Sequence, residues 1–160
     1  MPTNLEIQIL PMAADHLPQV TEIERRSFLV PWSSDALRFE LFHNKVAHYL
    51  VAVVENAVVG YAGMWVLVDE AHVTNIAVLP KWRRRGIAKA LLRKLINVAV
   101  ASGVDKMTLE VRKSNWGARK LYEGLGFKTL GCRRNYYAET CEDALVMWKF
   151  DLKARPDGHR

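Results

Sequence analysis

Cysteine is scarce in this chain, and its placement rules out two roles at once. Cys132 and Cys141 are the only two in 160 residues, nine positions apart and without CxxC spacing. Neither a disulfide framework nor a thiolate metal site follows from them, and both read as reduced thiols. The five histidines, His16, His43, His48, His72 and His159, form no i, i+4 pair of the metalloprotease kind, so no metal is expected. Long apolar runs are also missing. The longest, Ala57 to Val68, has 12 residues including two glycines, well short of the roughly 20 that span a bilayer. The start, MPTNLEIQIL, has no basic region followed by an apolar one, so no signal peptide is read there. Cytoplasm is the expected compartment, without a membrane partner.

What is present is a local excess of positive charge. The chain has 23 basic and 17 acidic side chains, for a formal charge of +6. Seven of the bases, Lys81, Arg83, Arg84, Arg85, Lys89, Arg93 and Lys94, fall in one stretch with no acid between them; the remainder is nearly neutral. Basicity this concentrated suits a compact polyanion such as a nucleotide or pyrophosphate better than a long phosphate track. Only Trp82 interleaves the bases as an aromatic, a poor supply for stacking single strands, so direct nucleic-acid binding is not expected.

Length and a half-apolar composition suit one sizeable core. The expected organisation is a single domain over residues 1–152 with a polar, frayed tail over 153–160, acting as a monomer. Residues 5–10 alternate as a strand, 15–27 read as a helix with Pro18 in its first turn, and Ser33, Ser34 and Asp35 resemble a helix start. Strands are expected over 48–54, 58–68 and 71–79, the last ended by Pro80. From Gly86 on, Ile87, Ala88, Leu91, Leu92, Leu95, Val98 and Ala99 share one helical face and Lys89, Arg93, Lys94 and Asn97 the other. A strand over 106–112, a helix over 115–124 and strands over 127–134 and 144–152 complete the order βααβββαβαββ. The fold class is α/β, with a mixed, mostly antiparallel sheet.

The turn at residues 83–86 poses the functional question. Cations are unwelcome at a helix start, yet three arginines stand there. The backbone N–H groups of a helix beginning at Gly86 would face whatever lies over the turn, and phosphate suits them. Neither GxxxxGK[ST] nor GxGxxG occurs in the chain, and a solvated basic helix start is the bland alternative.

Arg83-x-x-Gly86-x-Ala88, between a strand and an amphipathic helix, resembles the acetyl-coenzyme A pyrophosphate signature of the GNAT superfamily of N-acetyltransferases. Alanine stands where that signature often has glycine. NIAVLP, LEVRKSNWGARKLYEGLGF and RRNYY follow in family order, so the resemblance covers nearly the whole chain, and within the superfamily it is closest to the ribosomal-protein-alanine N-acetyltransferase group. The resemblance implies a GNAT fold and acetyl-coenzyme A as co-substrate. It implies that the strand Asn75 to Val78, with Ile76, Ala77 and Val78, receives the pantetheine arm through its backbone. Arg83, Arg84, Arg85, Gly86, Ile87, Ala88 and Lys89 would hold the pyrophosphate, and Asn115 would touch the cofactor.

For the chemistry, the resemblance implies Glu110 as base, directly or through water, and Tyr122 as the acid that protonates the coenzyme A thiolate. Pro31, Trp32, Tyr136 and Tyr137 would bind the acceptor, from two loops flanking a peptide groove. Each has an ordinary structural reading as well. Glu110 fits a solvated strand residue, Tyr122 an apolar helical stripe with Ala118, Leu121 and Leu125, Asn115 a helix cap, and the tyrosine pair an edge cluster. Asp69 and Glu70 would attract a basic second or third peptide residue or are solvated turn acids.

The expected function is transfer of acetyl to a protein N-terminus, with the N-terminal alanine of a small-subunit ribosomal protein as acceptor. An α-amine is roughly 20 to 30% neutral at pH 7.4 against about 0.1% for lysine, so a modest base suffices. Acetylation of a lysine or a small amine is the alternative within the fold; a non-catalytic nucleic-acid module or a scaffold is the alternative outside it.

Overall fold

The computed structural model describes residues 6–137 and 140–153. Among the described residues, seven strands and four α-helices follow one another in the expected order: β1 Gln8–Pro11, α1 Leu17–Ser27, α2 Ser34–Phe42, β2 Ala47–Val54, β3 Ala57–Val66, β4 Ala71–Val78, α3 Ile87–Ala101, β5 Lys106–Arg112, α4 Trp116–Gly124, β6 Lys128–Tyr137 and β7 Glu142–Phe150. A 3-10 turn over Ala14–His16 leads into α1, and another over Pro80–Trp82 separates β4 from the basic turn. The tail, apart from Lys153, lies outside the described residues, as does Leu5 of the expected first strand.

The chain divides into two compact units, 1–65 with 74–97, and 66–73 with 98–160. In the first, β1 pairs antiparallel with β2, and β2 with β3. The β2–β3 connection is a two-residue turn at Glu55 and Asn56, with φ of 50° and 66°; two positive φ values match the twist of the flanking strands. Packing α1 and α2 against these strands brings Leu17, Val20, Ile23, Leu37, Tyr49, Val51, Val53, Val58, Tyr61 and Ala77 into one core, on which Trp32 lies half-buried. Pro18 falls in the first turn of α1, where a missing N–H costs nothing, and the Ser33 hydroxyl caps α2 by accepting from the Ala36 N–H at 3.1 Å.

One glycine fixes the position of the segment leading to the basic turn. A Cβ on Gly60 of β3 would stand 3.0 Å from the Ala77 carbonyl oxygen, 3.2 Å from Val78 Cγ2 and 3.4 Å from Ile87 Cγ2. Only a residue without a side chain lets β3 lie this close to the end of β4 and the start of α3. On α3, the expected apolar face is the buried one: Ile87, Leu91, Leu92, Leu95 and Ala99 are at most 1% exposed.

In the second unit, the start of β4 pairs parallel with β5, Ala71 opposite Met107 and His72 opposite Thr108. β5 pairs antiparallel with β7, and β7 with β6. Asn115 caps α4, its side-chain oxygen accepting from the Ala118 N–H at 3.1 Å. Residues 135–137 depart from expectation. Asn135, Tyr136 and Tyr137 continue strand β6 rather than forming a loop, because β7 supplies the ladder: Arg133 faces Ala144, and Tyr137 faces Glu142. Four steps along β6 thus match two along β7, and Asn135 absorbs the excess with φ of 52°, its N–H donating to Asp143 Oδ1 at 2.9 Å. Such a bulge bends the strand and turns the tyrosines after it.

Candidate active site

The basic turn is built from backbone constraints first. Pro80 ends β4, Arg84 sits at φ +64° and Gly86 at φ +81°. Nothing lies within 4 Å of where a Gly86 Cβ would stand, so the glycine is there for its left-handed backbone, not for want of room. The first intrahelical bond of α3 runs from the Ala90 N–H to the Gly86 carbonyl at 3.0 Å. The N–H groups of Ile87, Ala88 and Lys89 therefore precede the helical ladder, where anions are favoured. The arginines are not bunched: Arg83 Nε donates to the Val78 carbonyl at 3.0 Å, and Arg85 lies over the Trp82 ring at 4.8 Å. All three are exposed. Open space over a left-handed glycine, three ladder-free amides and three guanidinium groups fit a diphosphate. The same unit carries the exposed Pro31 and the half-buried Trp32.

The second unit carries the titratable cluster. Glu110 is on β5, two residues beyond Thr108, whose parallel partner is His72; both side chains therefore rise from the same face of adjacent strands. The His72 Nε2 lies 3.1 Å from Glu110 Oε2 and 3.2 Å from Oε1, and the Tyr136 hydroxyl donates to Oε1 at 3.5 Å. With a side chain only 10% exposed, Glu110 is not the solvated strand residue its alternation with Leu109 and Val111 allows. The hydrogen bond from His72 holds its carboxyl below the usual value of 4.5, against the opposing effect of burial, with further help from the His72 charge, Arg133 and Tyr136. Removing His72 removes the largest of these causes. In His72→Ala, the Glu110 titration followed by carboxyl NMR should move upward; an unmoved midpoint would mean the pair does not form in solution. The sign for stability follows: a carboxyl depressed below 4.5 contributes fully above that pH and loses its contribution as pH falls through the lower folded value.

Tyr136 and Tyr137 meet edge to face at 5.2 Å, and the Arg112 guanidinium lies 4.0 Å over the Tyr137 ring. Arg112 is itself held by Thr140 Oγ1 at 2.8 Å and Glu142 Oε1 at 3.3 Å. Burial pushes the Tyr137 hydroxyl up to about 12. Tyr122, 5% exposed in the inner face of α4 and 6.0 Å from the Phe127 ring, is also pushed up, first by burial and then by Tyr137. It occupies the apolar stripe its spacing describes, and it keeps its proton at neutral pH.

Within the second unit, then, Glu110, Tyr136 and Tyr137 come together with two residues that sequence reasoning passed over, His72 and Arg112. The signal for His72 was an imidazole among the outward positions of AHVTNIAV. Nothing local told that its strand lies beside β5. In the first unit the turn residues 83–89 come after Ile76, Ala77 and Val78 and the 3-10 turn over Pro80–Trp82, whereas Asn115 and Tyr122 belong to the second.

A mixed, mostly antiparallel sheet with flanking helices is the fold of a class of acyltransferases, the GNAT enzymes. Residues 17–127 match the acetyltransferase (GNAT) family, and the chain belongs to it. It is an acetyl-coenzyme A-dependent N-acetyltransferase. The chain is 39% identical over 140 residues, 85% of its length and 92% of the relative's, to a [ribosomal protein bS18]-alanine N-acetyltransferase of Salmonella typhimurium. Against the enzyme of that name from Escherichia coli K12 the identity is 40% over 135 residues, 82% and 88% of the two chains. The crystal structure of the ribosomal-protein-S18-alanine N-acetyltransferase from Escherichia coli superposes with a TM-score of 0.83 at 34% identity, covering 91% of this chain and 94% of the other.

Proposed function

We propose that this enzyme transfers acetyl from acetyl-coenzyme A to the α-amino group of the N-terminal alanine of ribosomal protein bS18, in the cytoplasm. The observation that carries the choice of acceptor is the identity of 39 and 40% to two enzymes named for that reaction, along most of both chains. The geometry supports the chemistry. Arg83, Arg84 and Arg85, with the amides of Ile87, Ala88 and Lys89 over Gly86, hold the pyrophosphate. The backbone of Asn75, Ile76, Ala77 and Val78 aligns the pantetheine arm and supplies an N–H for the developing oxyanion. Asn115 caps α4 and touches the cofactor. Pro31 and Trp32 wall the first side chain of the acceptor, and Tyr136 and Tyr137 bind its backbone through their hydroxyls.

Glu110 takes the proton of the attacking amine, directly or through water. Its depressed pKa makes it a weak base alone, and the His72 nitrogen 3.1 Å away lets the pair share the proton. Tyr122, kept protonated by burial, gives its proton to the leaving thiolate. An α-amine asks little of such a base, since a good part of it is already neutral near pH 7.4. The test is a peptide panel read by mass spectrometry. A bS18-derived peptide starting with alanine should gain one acetyl group on its α-nitrogen, and its amino-blocked form should gain none. Activity on free polyamines or aminoglycosides, with none on alanine-starting peptides, would overturn the assignment.

A further inference from the structure

The first unit contains a buried carboxylate that ends on the acceptor loop. Glu24, near the end of α1, is 2% exposed, and its two oxygens accept from different sides. Oε2 accepts from the backbone N–H of Trp32 at 2.9 Å, and Oε1 from the hydroxyl of Tyr61. Tyr61 is fully buried, and its oxygen in turn accepts from Asn75 Nδ2 at 3.2 Å. Asn75 Oδ1 lies 3.3 Å from the Tyr49 hydroxyl, which is 2.9 Å from a second buried carboxylate, Glu40. Glu40 also accepts from Trp65 Nε1 at 2.6 Å and Asn44 Nδ2 at 2.7 Å.

A carboxylate in a core is no better for stability than a well-packed apolar side chain, and is often worse. What it supplies is direction. The segment before Pro31 has little packing of its own: Phe28, Leu29 and Val30 are 39, 70 and 68% exposed. Trp32 is where this loop turns inward, and its backbone is tied to the core at Glu24. Tyr61, oriented by Asn75, fixes the other oxygen, so the carboxylate cannot rotate away from Trp32.

We propose that Glu24 is a positioning residue for the acceptor: by holding the Trp32 backbone it sets the space that Pro31 and Trp32 leave for the first side chain of the peptide. The selectivity of the enzyme for a small first residue is thus set partly by a carboxylate that never touches the peptide. This rests on the reading that Pro31 and Trp32 wall the acceptor.

Glu24→Gln keeps the shape but offers one accepting oxygen where two are used. It should raise KM for the alanine-starting peptide about tenfold, the scale of one lost hydrogen bond to a charged group, and reduce the preference for alanine over leucine at the first position by a similar factor. Acetyl-coenzyme A affinity and kcat should stay within about twofold of wild type. Val59→Ala, a truncation at a buried position outside the core cluster that Trp32 packs against, should lower thermal stability and leave that preference unchanged. Should Glu24→Gln fail to fold, Glu24→Asp, whose oxygens are withdrawn by one methylene, carries the same expectation. Unchanged preference in the Glu24 variant, or an equal loss of it in Val59→Ala, overturns the inference. Trp32→Ala separates the two levels. If it too leaves acceptor KM unaltered, the acceptor assignment itself fails; if it alters KM while the Glu24 variant does not, only the role of Glu24 falls.

Discussion

Glu110→Gln is expected to lower kcat about a hundredfold at neutral pH, within the range for loss of a positioned general base, and to leave acetyl-coenzyme A affinity unchanged. The amide is isosteric with a carboxyl group whose side chain is only 10% exposed, so packing on β5 is preserved. It can still bond to His72 or Tyr136 but cannot accept a proton. The deficit should narrow as pH rises past about 8, where solvent has already deprotonated most of an α-amine. A pH–rate comparison of the two enzymes on the bS18 peptide reads this directly; wild-type turnover at pH 7 in the variant would remove Glu110 from the base role. The same experiment with His72→Ala asks whether the pair acts together. A loss much smaller than that of Glu110→Gln would mean that His72 only tunes the carboxylate.

Replacing both Arg83 and Arg84 by alanine should weaken acetyl-coenzyme A binding by roughly a hundredfold or more, from two lost charge-assisted contacts of about 1.5–3 kcal/mol each. The two arginines differ in what else they do. Arg83 bonds the Val78 carbonyl at 3.0 Å, so Arg83→Ala alone should also lower the melting temperature by freeing the end of β4. Arg84 is exposed at φ +64°; Arg84→Ala should change the dissociation constant with little effect on stability. Because the contacts are electrostatic and exposed, the wild-type affinity should fall with added salt more steeply than that of the double variant. Calorimetric titration with coenzyme A measures all of this, and an unaltered dissociation constant in the double variant would refute the phosphate assignment.

Much of the architecture could be read locally. Alternation found β1, two apolar runs around a tight turn found β2 and β3, the 3.6-residue period found the buried face of α3, and cap residues located the starts of α2 at Ser33 and α4 at Asn115. The end of β6 could not be found this way. Asn135 and the tyrosines after it look like a loop, and become a strand only because β7 lies alongside to accept a bulged partner.

The sequence by itself determined the order of elements, the concentration of cations before a glycine-led helix, and the family, since periodicity, caps and turn chemistry depend on neighbours a few positions apart. The tertiary structure alone decided which groups share a hydrogen bond. His72 and Glu110 are 38 residues apart, and Glu24 and Tyr61 are 37 apart; strand register joins the first pair and helix packing on the sheet joins the second. Contact and burial then set the chemistry of Glu110 and Tyr61: the His72 hydrogen bond outweighs desolvation at the carboxyl, whereas desolvation dominates at the buried phenol, and both depend on groups packed around them from distant parts of the chain.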